Sequence, residues 1–518
     1  MIEIDGSHLT LLEVLKVARF REPVSLSAQA KDQMENSHAW VDEIMGKNDP
    51  VYGINTGFGV FADRKIPAQE IAQLNRNLIL SHAVGTGPAL AEEVVRAAML
   101  IRANTLAKDY SGVRQLVVET LLEMLNRGVV PFVPEQGSMG SSGDLGPLSF
   151  LALVFSTDDR DLEQESGLAL YQGKWMTGKA AMLSAGIPRL QLGPKEGLGI
   201  NNGATFSAAL LALAVMDARN LVDTADLALS MSLEAVLGCS AAFDARIQDV
   251  RGFTGQKEVA ARVRKMTQGS SLLDSTGRVQ DAYSLRCSPQ VHGSVRDTLE
   301  LVSSVAEREI NAVTDNPILF EQGMALSGGN FHGAPIGMAA DYLKIALSVL
   351  SSISERRVFR LTDSRLSAGL PPMLVDKPEE AGLNSGLMMP QYMAASLTLE
   401  NRNLATPDSV NSLPTSAAQE DLNANSMTAA RHLRQSVQNT AAVLAIELLT
   451  ATWALHLRIR TLPKANLGKG VQAAFDFLQS QVPYVPADTW WQPHIDRVLD
   501  LVTSGEISMR AADAIQDR

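Results

Sequence analysis

Several stretches of this sequence are long, apolar at helical spacing and almost free of interior proline. Over residues 336–353 the apolar side chains cover the whole circumference of a helix, and residues 441–457 repeat the pattern. A helix that is apolar all round must be enclosed by other helices, because none of its faces is suited to water. The chain is therefore predicted to be all-α, with a long central helical bundle.

Long helices rich in Ala, Leu and Met are predicted over residues 91–127, 206–237, 295–313, 336–361 and 433–460. The predicted organisation is a smaller, loop-rich N-terminal part over 1–200, the long-helix bundle over 201–461 and a C-terminal helical cap over 462–518. So much apolar helix surface favours burial between subunits, and an oligomer is expected.

Charge and cysteine content exclude several classes of function. The chain has 45 Lys and Arg against 57 Asp and Glu, a net charge of −12, so it is not expected to bind nucleic acid through a basic surface. Two cysteines, Cys239 and Cys287, are too few for a disulfide scaffold. The eight histidines are scattered, and no metal site is expected.

The amino-terminal residues lack the basic and apolar regions of a signal peptide, and a cytoplasmic location is expected. Residues 197–216 and 435–457 resemble membrane spans in composition. Asn201 and Asn202 in the first and Gln438 in the second are costly in lipid. Both are predicted to be buried helices of a protein without a membrane partner.

Six loops rich in Gly, Ser and Asn separate the predicted helices. Such loops carry function when rigid helices position them, so they predict one composite site. Their sequences are YGINTGFG, GSMGSSGDLG, GINNG, QDAYSLRCSPQ, SGGNFHG and SLPTSAAQED.

The loop over residues 137–148, GSMGSSGDLGPL, lacks the spacing of a phosphate-binding loop or a hydrolase nucleophile elbow. One interpretation is a flexible turn that caps the next helix. The other is a ring. Attack of the Gly143 nitrogen on the Ser141 carbonyl carbon, with loss of two waters, would give a methylidene-imidazolone whose methylene comes from Ser142. Glycine accepts the compressed backbone that such closure needs.

Ten motifs in order along the chain resemble the aromatic amino acid ammonia-lyase family, whose members build this ring from Ala-Ser-Gly. They are YGINTGFG, RNLILSHAVG, GSMGSSGDLG, NNG, VQDAYSLRC, TDNP, GGNFHG, ISERR, LNSGLM and SLPTSAAQED. The resemblance implies a 4-methylidene-imidazole-5-one formed autocatalytically from Ser141, Ser142 and Gly143. It also implies a homotetramer whose active sites are shared between subunits, with an amino acid as the substrate.

The resemblance assigns catalytic roles to three further residues. Tyr52 would remove the β-proton of the substrate, and its environment would have to lower the phenol pKa from about 10. Asn202 would hydrogen-bond the ring oxygen or the substrate. Tyr283 would assist ring formation.

Three further residues are expected, by the same resemblance, to bind the substrate. Arg286 would grip the carboxylate through two parallel hydrogen bonds, a task that suits a guanidinium fork. Gln280 and Phe331 would line the pocket.

His82 and the pair Gln419-Glu420 resemble the histidine-specific branch of the family. An imidazole and a carboxylate are suitable partners for the two ring nitrogens of histidine, whereas a carboxylate that faces a phenyl ring would be left unpaired. These residues predict a carbon–nitrogen lyase that converts L-histidine to urocanate and ammonia.

Some positions differ from the family pattern. Ser141 replaces alanine, Leu-Asn-Ala-Asn at 422–425 replaces His-Val-Ser-Met, and Asn201, Ser288 and His292 stand where other residues are usual. If histidine is not the substrate, the last three are expected to re-polarise the pocket toward a larger or hydroxylated ring. The alternatives are a lyase for tyrosine, phenylalanine or a modified histidine, a 2,3-aminomutase, and a catalytically inactive helical binding protein.

Overall fold

The computed structural model describes residues 1–47 and 49–516. Helices dominate this part of the chain, which confirms the predicted all-α fold. The α-helices are α1 (Leu11–Phe20), α2 (Ala28–Lys47), α3 (Ile71–His82), α4 (Glu92–Ala107), α5 (Gln115–Arg127), α6 (Leu145–Phe155), α7 (Gly178–Ala185), α8 (Glu196–Asn201), α9 (Thr205–Ala235), α10 (Ala245–Arg251), α11 (Thr254–Met266), α12 (Tyr283–Arg286), α13 (Ser288–Glu309), α14 (Ala334–Thr362), α15 (Met388–Leu404), α16 (Ser426–Thr461), α17 (Lys469–Gln481), α18 (Gln492–Thr503) and α19 (Glu506–Ile515).

The strands are short and form small sheets of two or three strands. The pairs β1–β2 and β6–β9 are parallel, and β3–β5, β10–β11 and the three-stranded sheet β4-β7-β8 are antiparallel. Their bounds are β1 (Ile2–Ile4), β2 (Val24–Leu26), β3 (Thr86–Ala89), β4 (Val130–Pro131), β5 (Pro134–Gln136), β6 (Ser156–Thr157), β7 (Leu168–Tyr171), β8 (Lys174–Thr177), β9 (Leu190–Gln191), β10 (Ile318–Phe320) and β11 (Met324–Leu326).

One predicted helix is interrupted. The stretch 91–127 forms α4 and α5, separated by a turn in which Gly112 has a left-handed backbone with φ of 65°. A Cβ at Gly112 would lie 2.5 Å from side-chain atoms of both Leu319 and Val41. The turn therefore requires glycine at position 112, and apolar periodicity does not register such a turn.

The helices α9, α14 and α16 are long and apolar enough, by length and composition, to cross a membrane. Within the protein, 78, 67 and 94% of their most apolar windows are buried. Packing inside the fold therefore accounts for most of this apolar surface, as expected for helices that are apolar all round.

The chain divides into two compact units, and each is assembled from separate stretches of sequence. The predicted sequential division at residues 200 and 461 stays a prediction. The first unit comprises 1–216, 303–341 and 407–432, and the second 217–302, 342–406 and 433–518.

The second unit contains Glu234 of α9, a fully buried carboxyl that accepts a hydrogen bond of 3.0 Å from the Gly468 amide. Burial raises its pKa from 4.5 to about 8. Between pH 4.5 and about 8, the Glu234 carboxyl is therefore protonated in the native state and ionised in the unfolded chain. Stability is lost as the pH rises through this window.

We expect Glu234→Gln to remove most of this loss, because the amide stays neutral and still accepts from Gly468. Urea unfolding at pH 5, 6.5 and 8 measures the effect. The variant should gain stability relative to the wild type as the pH rises. Glu300→Gln, at an exposed position of α13, is the matched control. If the free energy of unfolding of the Glu234 variant fell with pH as steeply as that of the wild type, the raised pKa of Glu234 would be contradicted.

Candidate active site

A cavity of about 1500 Å³ lies within the first unit. Its walls come from loops that precede α6 and α14, from the end of α3 and from the loop before α16. The structure thus brings together most of the predicted site residues. Those that line the cavity are Tyr52, His82, Ser141, Ser142, Asn202, Phe331, Gln419 and Glu420.

The electrophile loop, residues 137–144, is held by a close approach of two glycine backbones. Gly143 forms an isolated parallel bridge with Gly203 and has a left-handed backbone with φ of 83°. A Cβ at Gly143 would lie 2.1 Å from the nitrogen of Gly203. Only glycine fits such a contact, and glycine is the residue that ring closure requires.

Asp144 fixes the end of this loop to the first turn of α9. Its buried carboxylate accepts hydrogen bonds from the Ser138 hydroxyl at 2.7 Å and from the Ser207 amide at 2.8 Å. Burial raises its pKa, although these donors oppose the rise. A helix amino terminus is a favourable place for a carboxylate, and here it anchors the segment that carries the serines.

Asn202 contacts the one carbonyl oxygen that the proposed ring would keep. Its Nδ2 donates to the Ser142 carbonyl oxygen at 2.7 Å, and the Arg102 guanidinium donates to the Asn202 carbonyl oxygen. Asn202 Oδ1 is buried without a hydrogen-bond partner among the described residues. The donor, the orphaned amide oxygen and the glycine contact together fit a ring at residues 141–143.

Glu420 lies beside the central serine. Its carboxylate accepts hydrogen bonds from the Ser142 hydroxyl and, at 2.9 Å, from the Thr415 hydroxyl. Thr415 also pairs with Glu420 through the backbone, as an isolated antiparallel bridge. Sequence analysis missed Thr415, although it occurs in the same SLPTSAAQED motif.

His82 has a defined tautomer. Its Nδ1 lies 2.9 Å from the carbonyl oxygen of Leu78, which can only accept, so Nδ1 carries the proton. Burial lowers the pKa of the imidazole. A neutral His82 therefore presents Nε2 as a hydrogen-bond acceptor.

Tyr52 does not have the lowered pKa expected of a base. Burial raises the pKa of its phenol, and the negative charges of Glu420 and Asp315 add to the rise. A hydrogen bond with the Gly59 backbone opposes this only in part. The phenol is therefore protonated near neutral pH. A nearby cation would lower its pKa and allow it to act as a base.

The remaining predicted residues, Gln280, Tyr283 and Arg286, belong to the second unit. Arg286 lies over the Tyr283 ring, 4.6 Å from its centroid, and its Nε donates to the Asp281 carbonyl oxygen at 2.8 Å. The Gln280 and Tyr283 side chains are exposed. The structure thus pairs Arg286 with Tyr283.

Asn201, Ser288 and His292 were expected to re-polarise the pocket, and this expectation is wrong. All three are fully buried, and none lines the cavity. His292 donates from Nδ1 to Asp226 at 2.8 Å and accepts at Nε2 from Arg357 at 3.3 Å. It belongs to an internal polar network of the second unit.

Within residues 1–47 and 49–516, no group of three or more His, Cys, Asp or Glu side chains is arranged to hold a metal ion.

Comparison with known proteins identifies the family. Residues 9–480 match the sequence model of the aromatic amino acid lyases. The chain is 46% identical over 509 residues to the histidine ammonia-lyase of Caldanaerobacter subterraneus subsp. tengcongensis, covering 98% of this chain and 97% of that protein.

Two solved structures have the same fold. The histidine ammonia-lyase of Trypanosoma cruzi matches with a TM-score of 0.90 and 36% identity, over 99% of this chain and 95% of that one. The tyrosine aminomutase of Streptomyces globisporus matches with a TM-score of 0.92 and 32% identity, over 100% and 99%. The chain belongs to the aromatic amino acid lyase family.

The contact between Gly143 and Gly203 can be tested against a glycine of similar conformation. Gly173, in the turn between β7 and β8, has a φ of 76°, and a Cβ there would meet no atom within 4 Å. Alanine at either position costs roughly 1–2 kcal/mol for the left-handed backbone. Gly143→Ala should cost about 1–3 kcal/mol more from overpacking.

The free energies of unfolding of the two variants in urea measure this difference. Equal destabilisation of both would mean that the glycine backbones are not in contact.

Proposed function

We propose that this protein is a histidine ammonia-lyase, a carbon–nitrogen lyase that converts L-histidine to urocanate and ammonia. The observation that carries the proposal is that His82 and Glu420 line the same cavity as Ser142. The histidine ammonia-lyases to which the chain is similar support the same reaction. The cavity offers an imidazole-binding pair beside the segment that would become the electrophile.

The proposed prosthetic group is 4-methylidene-imidazole-5-one, formed from Ser141, Ser142 and Gly143. Two observations support it. The backbone of Gly143 lies against that of Gly203, and the Asn202 side-chain amide donates a hydrogen bond to the Ser142 carbonyl oxygen. Once formed, the group supplies an electrophilic carbon for the amine of the substrate, which makes ammonia a better leaving group. The chain's own side chains must then bind and orient the amino acid and move its β-proton.

Substrate choice would depend on the two groups that suit an imidazole. The Nε2 of neutral His82 can accept a hydrogen bond from the N–H of one ring nitrogen. The Glu420 carboxylate can accept a hydrogen bond from the other ring nitrogen when the substrate imidazole is protonated, because only then do both nitrogens carry a proton. A plain phenyl ring would leave both unpaired, and buried polar groups without partners are costly.

Tyr52 is proposed as the base for the β-proton. Because burial raises its pKa, the phenol needs a cation close by before it can release its proton. The α-ammonium group of the substrate and the Arg286 guanidinium are the cations that the proposal supplies. Arg286 would bind the substrate carboxylate, and Tyr283, Gln280 and Phe331 would complete the site.

A homotetramer with shared sites is part of the proposal. Met338, Tyr342, Ile345 and Val349 recur every three or four residues along one face of α14 and are 41–47% exposed in the single chain. An exposed apolar stripe of this kind favours burial against another subunit. A cytoplasmic location is also proposed, and the free thiols of Cys239 and Cys287 suit a reducing compartment.

Purified protein should release urocanate from L-histidine, seen as a growing near-ultraviolet absorbance. Its intact mass should be lower than that of the sequence by two waters. Ser142→Ala should prevent methylene formation and abolish turnover, with an unchanged helical circular dichroism spectrum. Full activity in this variant would refute the electrophile, and turnover of tyrosine with none of histidine would refute the substrate.

Glu420→Gln should narrow the preference for histidine over phenylalanine. It removes the charge opposite the imidazole and keeps the shape. Loss of a charged hydrogen bond of roughly 1.5–3 kcal/mol corresponds to a fall of about 10- to 150-fold in the kcat/KM ratio of the two substrates. Intact mass checks that the ring still forms. An unchanged ratio would place Glu420 away from the substrate ring.

A further inference from the structure

Ser141, which replaces the usual alanine of the family motif, makes a contact that alanine cannot make. Its hydroxyl oxygen accepts a hydrogen bond of 3.0 Å from the backbone amide of Ala424. Both residues are buried, with 5% and 3% of their surface exposed. This bond joins the electrophile loop to the loop over residues 412–425, which carries Gln419 and Glu420.

We propose that Ser141 is a positioning residue, whose hydroxyl holds the 412–425 loop against the electrophile loop and so places the Glu420 carboxylate. The proposal rests on the proposed function of this cavity. It assigns Ser141 a second role, independent of its part in the ring, and links it to the discrimination between imidazole and phenyl substrates.

The 412–425 loop needs such an anchor. Three consecutive residues, Ser416, Ala417 and Ala418, have left-handed backbones with φ between 51° and 65°. Residues with a Cβ disfavour this conformation, so hydrogen bonds must stabilise the loop. The bridge between Thr415 and Glu420 closes the loop internally but does not fix it to the electrophile loop.

Two serine hydroxyls connect this loop to the electrophile loop, and ring closure removes one of them. Ser142 donates to Glu420 in the uncyclised chain, but its Cβ–Oγ bond breaks and the oxygen leaves as water. Ser141 loses its carbonyl oxygen as the second water when Gly143 N bonds to its carbonyl carbon. The Ser141 side chain keeps its hydroxyl throughout.

The Ser141 bond would therefore remain as the hydroxyl link between the triad and the 412–425 loop in the mature protein. A further anchor is the bond of 3.1 Å that His332 Nε2 donates to the Leu422 carbonyl oxygen. Without the Ser141 hydroxyl, the Ala424 amide is a buried donor without a partner, and the loop must move to satisfy it.

The test compares Ser141→Ala with Ser141→Thr, which retains a hydroxyl, and with Ser480→Ala at an exposed position of α17. Intact mass shows ring formation in each protein. Hydrogen exchange of peptides over residues 412–425 reports the anchor without relying on activity. Steady-state kinetics with L-histidine and L-phenylalanine report the placement of Glu420.

We expect Ser141→Ala to lose two waters like the wild type, but to exchange the Ala424 amide about tenfold faster, as a buried hydrogen bond is lost. Its kcat/KM for L-histidine should fall while that for phenylalanine changes little. Ser141→Thr should restore the slow exchange of the Ala424 amide and the kcat/KM for L-histidine. Ser480→Ala should match the wild type in both.

Unchanged exchange and an unchanged substrate ratio in Ser141→Ala would overturn the proposal. Failure of the proposed function looks different: the wild type would lose no water or release no urocanate. In that case the exchange comparison still decides whether Ser141 holds the loop.

Discussion

The candidate site depends on the contact between the backbones of Gly143 and Gly203. Without a Cβ on either residue, the electrophile loop lies directly against the segment that precedes α9. A second close approach holds the other end of the loop, where a Cβ at Gly140 would lie 1.8 Å from the Ser426 hydroxyl. These contacts fix the serine pair between the starts of two long helices, α9 and α16. The helices supply rigidity that a Gly- and Ser-rich loop lacks.

Buried charges surround this loop. Arg102 is fully buried, its pKa is lowered to about 10 by desolvation, and it donates to the carbonyl oxygen of Asn202. Lys195 and Asp315 form a buried ion pair in the same unit. Removing one partner of such a pair is costly, because an uncompensated charge stays in a dry interior. The buried Arg102 thereby holds the backbone of Asn202 in place. This fixes the position from which the Asn202 side-chain amide donates to the Ser142 carbonyl oxygen.

Sequence reasoning succeeded where the signal was local or carried by motifs. Apolar periodicity predicted α9, α14 and α16, and the motifs placed residues as distant as Tyr52 and Glu420 at one site. It failed where a role arises only from tertiary contacts. The close packing around Gly112 was not predictable from apolar periodicity, and Arg102 lies inside an ordinary helical pattern. Ser288 and His292 were assigned to the pocket because they follow a site motif in sequence, but their side chains are turned into the core of the second unit.

The protonation state of Tyr52 links substrate binding to chemistry. Its phenol is buried beside two carboxylates, Glu420 and Asp315, and all three influences keep the proton on the oxygen. None of these influences supplies the lowered pKa that a base for the β-proton requires. Under the proposed reaction, Glu420 is needed for the imidazole, so the substrate ammonium or the Arg286 guanidinium would have to offset its charge at the phenol. The carboxylate that is proposed to favour histidine therefore opposes the proposed base, and a cationic group bound beside the phenol would lower its pKa again.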